Sequence, residues 1–230
     1  MTPGFMGAGR LLASPQWSGP QLAGNWDVIW HYAAIHARYT LVSLALGTLA
    51  AVPLAYLAHR STRTYAVLLA ATNIVYAIPS LAMFVLMFPL FGVISDVPVI
   101  VAMALYSLVI LVRGMVEGLR AVPADAVTAA TAMGCSRLRR FVAVELPLAV
   151  PTIVAALRVA AVSTVSMISV GGLIGKGGLG RLFADGFSRR IDTEIRAGIA
   201  AVVVLALVAD AVLLGLGRAA TPWTRNRARA

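Results

Sequence analysis

Residues 122–151 read VPADAVTAATAMGCSRLRRFVAVELPLAVP, a stretch rich in alanine and arginine that lies between long uncharged runs. Residues 124–133 are alanine-rich and favour helix, Pro123 suits a helix start, and Gly134 suits a helix C-terminal cap. Ser136 is placed to cap a second short helix, in which Leu138, Phe141, Val142 and Val144 are apolar while Arg137, Arg139 and Arg140 are cationic. Pro147 then marks entry into the next apolar run. The stretch predicts two short helices joined at a glycine, a compact protrusion on which the small residues Ala129, Ala130 and Gly134 let another surface approach the backbone. An amphipathic hairpin resting on lipid fits the same periodicity.

The runs on either side set the fold class. Of 230 residues, 60% are hydrophobic and 12% charged, about half the charged share of a soluble domain. Most of the chain therefore has lipid as its solvent. Crossing about 30 Å of hydrocarbon at about 1.5 Å per residue needs a run of about 20 residues. Such runs occupy residues 39–58, 66–90, 97–112, 148–170 and 197–216. The second is interrupted by Ile78-Pro79-Ser80, so it is either kinked or divided into two shorter helices. The third is short, and its helix is expected to continue past Arg113, whose long side chain reaches the interface. The expected fold is an all-α integral membrane protein with five core transmembrane helices, six if the second run counts as two.

Charge sets the orientation. The formal net charge of +10 comes from arginines and a single lysine, Lys176, set between and after the apolar runs. That placement follows the positive-inside bias and argues against nucleic-acid binding. With five spans, residues 59–64, 113–147 and the C-terminal tail face the cytoplasm and the N-terminus lies outside; six spans would place it inside. The outer loop at 91–96 has no cation, whereas that at 171–196 has five cations and three acids, against the bias. The chain divides into a flexible leader (1–36), one membrane domain (37–218) and a basic tail (219–230). Residues 1–20 lack the continuous apolar run of a cleaved signal peptide. Cys135 stands alone, which excludes an intramolecular disulfide or a cysteine-based metal cluster.

The spacing Thr128-Ala129-Ala130, three residues, Gly134, nine residues, Val144-Glu145-Leu146-Pro147 resembles the EAA loop of binding-protein-dependent (type I) ABC importer permeases. The resemblance implies a cytoplasmic coupling helix seated in a groove of an ABC ATPase subunit, with Thr128, Ala129, Ala130, Gly134, Leu146 and Pro147 marking the docking element. The family's Glu is Thr128 here, so a salt bridge from that position is not expected. Residues 77–82 (AIPSLA) and 173–180 (LIGKGGLG) are similar to those of the osmoprotectant branch, which imports glycine betaine, choline, carnitine and related quaternary amines. The glycine segment is shared with methionine-importer permeases. By resemblance the chain lies in the cell membrane beside a second permease subunit, identical or paralogous, and holds no cofactor. Cytoplasmic ATPase subunits would hold ATP and Mg, and an extracytoplasmic solute-binding protein would select the solute.

Other motifs weigh less. Residues 175–180 satisfy G-x-G-x-x-G, yet no strand precedes them and Gly177, not Ser or Thr, follows Lys176, so they are no phosphate loop. Gly175, Gly177, Gly178 and Gly180 are instead expected to form a tight reversal or short re-entrant turn at the outer mouth. His31, His36 and His59 fall at span ends and read as interface histidines. No arrangement for catalysis appears. Arg158 and Asp210 lie within spans and are expected to pair as a structural clamp, a direct role in solute passage being the alternative. Asn73, Tyr76, Ser163, Thr164, Ser166 and Ser169 suit either a polar pathway or helix-to-helix hydrogen bonds. An ATPase-independent secondary transporter would carry acids along its spans or an inverted repeat; this chain has only Asp210 and no repeat.

Overall fold

The computed structural model describes residues 25–224. Helix α1 (Trp26–Arg60) ends where Ser61 turns extended, at φ −144°, and the Ser61 hydroxyl accepts a hydrogen bond from the Thr64 amide to start α2 (Thr62–Ala77). Helix α3 (Ser80–Phe91) follows a break at Ile78 and Pro79 and is bent from α2 by 96°. Ile78 is extended, as a residue before proline tends to be, and its carbonyl accepts a hydrogen bond from the Tyr106 hydroxyl. Helix α4 (Val97–Arg120) runs without a break past Arg113. Two short helices, α5 (Ala124–Ala132) and α6 (Arg137–Arg140), and a π turn at Phe141–Glu145 lead into α7 (Leu146–Val170). A 3₁₀ turn (Gly171–Ile174), α8 (Gly180–Arg189) and α9 (Asp192–Ala220) complete the bundle.

Helices α1 and α4, the run Arg137–Ile174 and α9 are each long and apolar enough to cross a membrane, and the bent pair α2–α3 makes a fifth crossing when counted as one broken span. Taken apart, the pair measures 16 and 12 residues, each short of the roughly 20 that a crossing needs. Five crossings, not six, fit these lengths.

Helix α4 is the centre of the bundle, with α1 and α7 packed along it and α9 against α7. An inner apolar cluster joins Leu44, Ala51, Leu111, Met115 and Ala160; an outer one joins Tyr39, Phe84, Met103, Tyr106 and Ile168. A Cβ added to Gly114 would stand 2.2 Å from that of Ala156, so the glycine is what lets α4 and α7 touch. Helix α9 turns Val203, Leu207, Val208 and Val212 outward, exposed apolar residues that lipid solvates.

Three expectations about boundaries are corrected. The leader was expected to reach residue 36, but helix begins at Trp26; Ile29 and Tyr32 pack on Leu179 and Leu182. This part of α1 is amphipathic, so a search for continuous apolar runs passes over it. His36 is no interface residue: it is wholly buried, with Nε2 donating to the Val165 carbonyl at 3.0 Å. The last helix spans Asp192–Ala220, longer at both ends than 197–216 and two residues past the expected domain edge. The remainder of the leader and Arg225, Arg227 and Arg229 lie outside the described residues.

Candidate functional site

The segment between α4 and α7 is built around Gly134. Its φ of +77° is left-handed and its amide donates to the Thr131 carbonyl, while the Cys135 amide donates to Ala130; together they close α5. Ser136 then caps α6, its hydroxyl accepting from the Arg139 amide at 3.4 Å. The second short helix is not separate from the span, however. Arg137–Ile174 forms one continuous helical run of 38 residues. The Leu146 amide donates five residues back to Phe141, and Pro147, which has no amide to give, falls in the first turn of α7, so the run passes through the proline unbroken.

Not all of the expected docking residues share one surface. Thr128, Ala129 and Gly134 are exposed, but Ala130 is 1% exposed and packs inward, so it offers no small surface to a partner. Leu146 and Pro147 are half-buried at the start of the span. The exposed face is completed by Met133 and Leu138, 76% and 67% exposed, and by Arg137 and Arg139. Exposed large apolar side chains beside arginines suit a soluble protein partner better than water.

Sequence reasoning missed the node beneath this face. The Glu145 carboxylate is buried; it accepts a hydrogen bond from Arg140 Nε at 2.8 Å and lies 3.4 Å from His59 Nε2 at the end of α1. Arg140 also donates to the Thr131 hydroxyl at 2.9 Å. One carboxylate thus joins α1, α5 and the π turn. The available signal was an acid set among apolar residues immediately before Leu146-Pro147.

Within the bundle, Arg158 and Asp210 meet in two hydrogen bonds of 2.7 Å each. On the outer side, Gly175, Gly177 and Gly178 all have positive φ and turn the chain back against α1 and α7. A Cβ on Gly180 would lie 2.0 Å from the Ser169 carbonyl oxygen, and one on Gly178 would lie 2.7 Å from His36. Lys176 reaches from this turn to the Ile94 carbonyl and to Asp96, which also accepts from Arg38. Burial alone would raise the Asp96 carboxyl, but the neighbouring Tyr39 hydroxyl, Lys176 and Arg38 outweigh it and hold it below the usual range.

Two cavities divide the expected polar residues. An outer one of about 780 Å³ is lined by Ser166, Ser169, Phe183, Phe187 and Ile199. An inner one of about 440 Å³, between α2, α4 and α7, is lined by Asn73, Tyr76, Arg113, Glu117 and Thr152. Thr164 is 2% exposed and belongs to neither.

A bundle of membrane-crossing helices with an exposed hairpin on its arginine-rich side defines a multi-pass membrane protein. Residues 43–226 match the family described as binding-protein-dependent transport system inner membrane component, and the chain belongs to that family. It is 33% identical to the choline transport system permease protein OpuBB of Bacillus subtilis over 84% of this chain and 88% of the relative. It is 34% identical to the osmoprotectant import permease protein OsmW of Salmonella typhimurium, over 79% and 87%. Among solved structures, a chain of the MetNI methionine ABC transporter in an inward-facing conformation superposes with a TM-score of 0.76 at 23% identity, covering 89% of this chain and 99% of that one. The protein is thus an ABC importer permease subunit of the cell membrane, not an enzyme; a separate subunit hydrolyses ATP, and a solute-binding protein belongs to the same system.

Proposed function

We propose that this chain passes a small osmoprotectant, glycine betaine, choline, carnitine or a related quaternary amine, into the cell. Relatives named for those solutes match over most of both chains, which supports the cargo. The observation that carries the mechanism is the exposed hairpin, whose apolar and cationic face continues without a joint into the span α7. Two cytoplasmic ATPase subunits, holding ATP and Mg, would seat this face and move it on closing. Five crossings are few to enclose a passage, so a second permease subunit, identical or paralogous, completes the working unit. The glycine turn fits the outer mouth, where a solute-binding protein would deliver its load.

The test is a pull-down from detergent-solubilised membranes with wild type and Gly134→Asp, joined to uptake of radiolabelled glycine betaine and choline. Aspartate tolerates the left-handed backbone better than most residues, and a Cβ at this position meets nothing, so the substitution alters the docking face and spares the fold. The expected result is an ATPase that co-purifies with wild type and is lost with the variant, together with its uptake. An ATPase that co-purifies equally with wild type and variant would instead remove the hairpin as its docking element. The fold of the methionine transporter chain keeps methionine or another small zwitterion as the second cargo, to be read from competition in the same uptake assay.

A further inference from the structure

The inner cavity carries polar groups where the surrounding surface is apolar. Its volume of about 440 Å³ lies within the range of small-molecule sites, about 300–1,000 Å³. Asn73 and Tyr76 on α2, Arg113 and Glu117 on α4 and Thr152 on α7 line it, all of them exposed. Arg113 and Glu117 are four residues apart on one face of α4, about 6 Å along its axis. Neither side chain takes part in the ion pairs and hydrogen bonds found among the described residues, whereas Arg158 on the same helix α7 as Thr152 is fully engaged by Asp210. Charged side chains in a membrane pair with each other or face water. Arg113 and Glu117, left open to a partner, face water.

The cavity has depth as well as polarity. Glu117 and Arg113 lie about 5 and 11 Å from the inner end of α4 at Arg120, and Asn73 and Tyr76 about 17 and 21 Å above the start of α2. It therefore runs from the cytoplasmic surface to the middle of the membrane. There the Tyr76 ring meets Tyr106 edge to face at 5.8 Å, and Tyr106 in turn holds the break at Ile78.

We propose that this cavity is the inward-opening half of the solute path and a transient zwitterion site: Arg113 receives the solute's carboxylate and Glu117, one turn below it, receives its quaternary ammonium, with the Tyr76 ring at the upper end of the path. The assignment rests on the cargo reading above. A quaternary ammonium has no N–H to donate, so negative charge is what holds it at Glu117, and the Tyr76 ring offers it an aromatic face farther along the path. A carboxylate suits the forked donors of arginine. Val109, Ile110 and Val159 leave apolar wall for the methyl groups, and Asn73 and Thr152 keep the lining wet. Choline has the ammonium but no carboxylate, so the two charged residues make separable contributions.

The first arm of the test reads access. Asn73→Cys, Thr152→Cys and Leu207→Cys, each with Cys135→Ser, are treated in everted membrane vesicles with trimethylammonioethyl methanethiosulfonate, a thiol reagent that is itself a quaternary amine. Asn73→Cys and Thr152→Cys are expected to react faster than the outward-facing Leu207→Cys, and excess glycine betaine is expected to slow them. Equal rates at the three positions, or rates that glycine betaine leaves unchanged, would overturn the proposal. The second arm reads discrimination. Arg113→Gln is expected to raise KM for glycine betaine about tenfold, as for loss of one charged hydrogen bond, with choline spared, while Glu117→Gln raises both. An Arg113→Gln effect equal on the two solutes would sink the assignment of the carboxylate. Failure of the wild type to take up either solute would remove the cargo reading, and the reaction rates would still decide whether the cavity is a path.

Discussion

The Arg158 guanidinium holds Asp210 through two parallel hydrogen bonds of 2.7 Å, tying α7 to α9 across 52 positions of sequence. Helix α9 has few buried residues, Glu194, Gly198 and Gly217; Ala197, Ala201, Val202 and Leu205 pack on Leu179 and Leu182 at its outer end, and the ion pair adds a polar tie to α7 farther along, beside the contact of Gly217 with Val154. Asp210→Asn alone should lower the fraction of monodisperse protein after heating in detergent more than the exchange Arg158→Asp with Asp210→Arg does. Size-exclusion chromatography measures it, and equal losses would count against the clamp.

The glycines at 172–180 differ sharply in what they tolerate. Gly175 has open space around it, so Gly175→Ala meets only the left-handed backbone penalty of about 1–2 kcal/mol. Gly180→Ala places a carbon 2.0 Å from the Ser169 carbonyl oxygen, a contact that only backbone displacement relieves. Membrane expression should survive the first substitution and fail with the second.

Glu145 is buried with Arg140 and His59 as neighbours, so Glu145→Gln leaves Arg140 without its charged acceptor. A loss of about 1–3 kcal/mol is expected, with Glu145→Ala costing more. Thermal unfolding in detergent measures it. Because the carboxylate ties the hairpin to α1, transport should fall further than the amount of folded protein does.

Asp96 predicts an acid limit on the outer face. Its carboxyl is held below the ordinary 3.8, so the folded state gains from its ionised form. That gain is complete above the ordinary value and is lost as pH falls through the lowered one. Wild type should therefore exceed Asp96→Asn in thermal midpoint at neutral pH, and the gap should narrow as pH falls below 3.8. A gap that stays constant would mean that Lys176 and Arg38 do not depend on that charge.

What the sequence reveals here follows from the solvent. Lipid makes each crossing a long, mostly apolar run, and it leaves two charges set within spans, such as Arg158 and Asp210, few partners but each other. Proline chemistry located the break at Ile78, and Gly134 and Ser136 declared the caps of the hairpin. The start of α1 was hidden because His31, His36 and Arg38 interrupt its apolar face, and the burial of His36 depends on a glycine turn about 140 residues away. The Glu145 node was hidden for a like reason: its meaning lies in a distance between residues 59 and 145, which no local pattern encodes.

The π turn at Phe141–Glu145 has one further consequence. Successive residues of an α-helix are set about 100° apart, and a π turn holds one residue more than an α turn. With no loop between Arg137 and Ile174, the angular phase of the hairpin about the axis of α7 is therefore set by a residue count. On the docking proposed above, torque applied by a motor would be transmitted along with displacement, as through a keyed shaft, and removing a single residue at 141–145 would leave both ends intact but facing the wrong way.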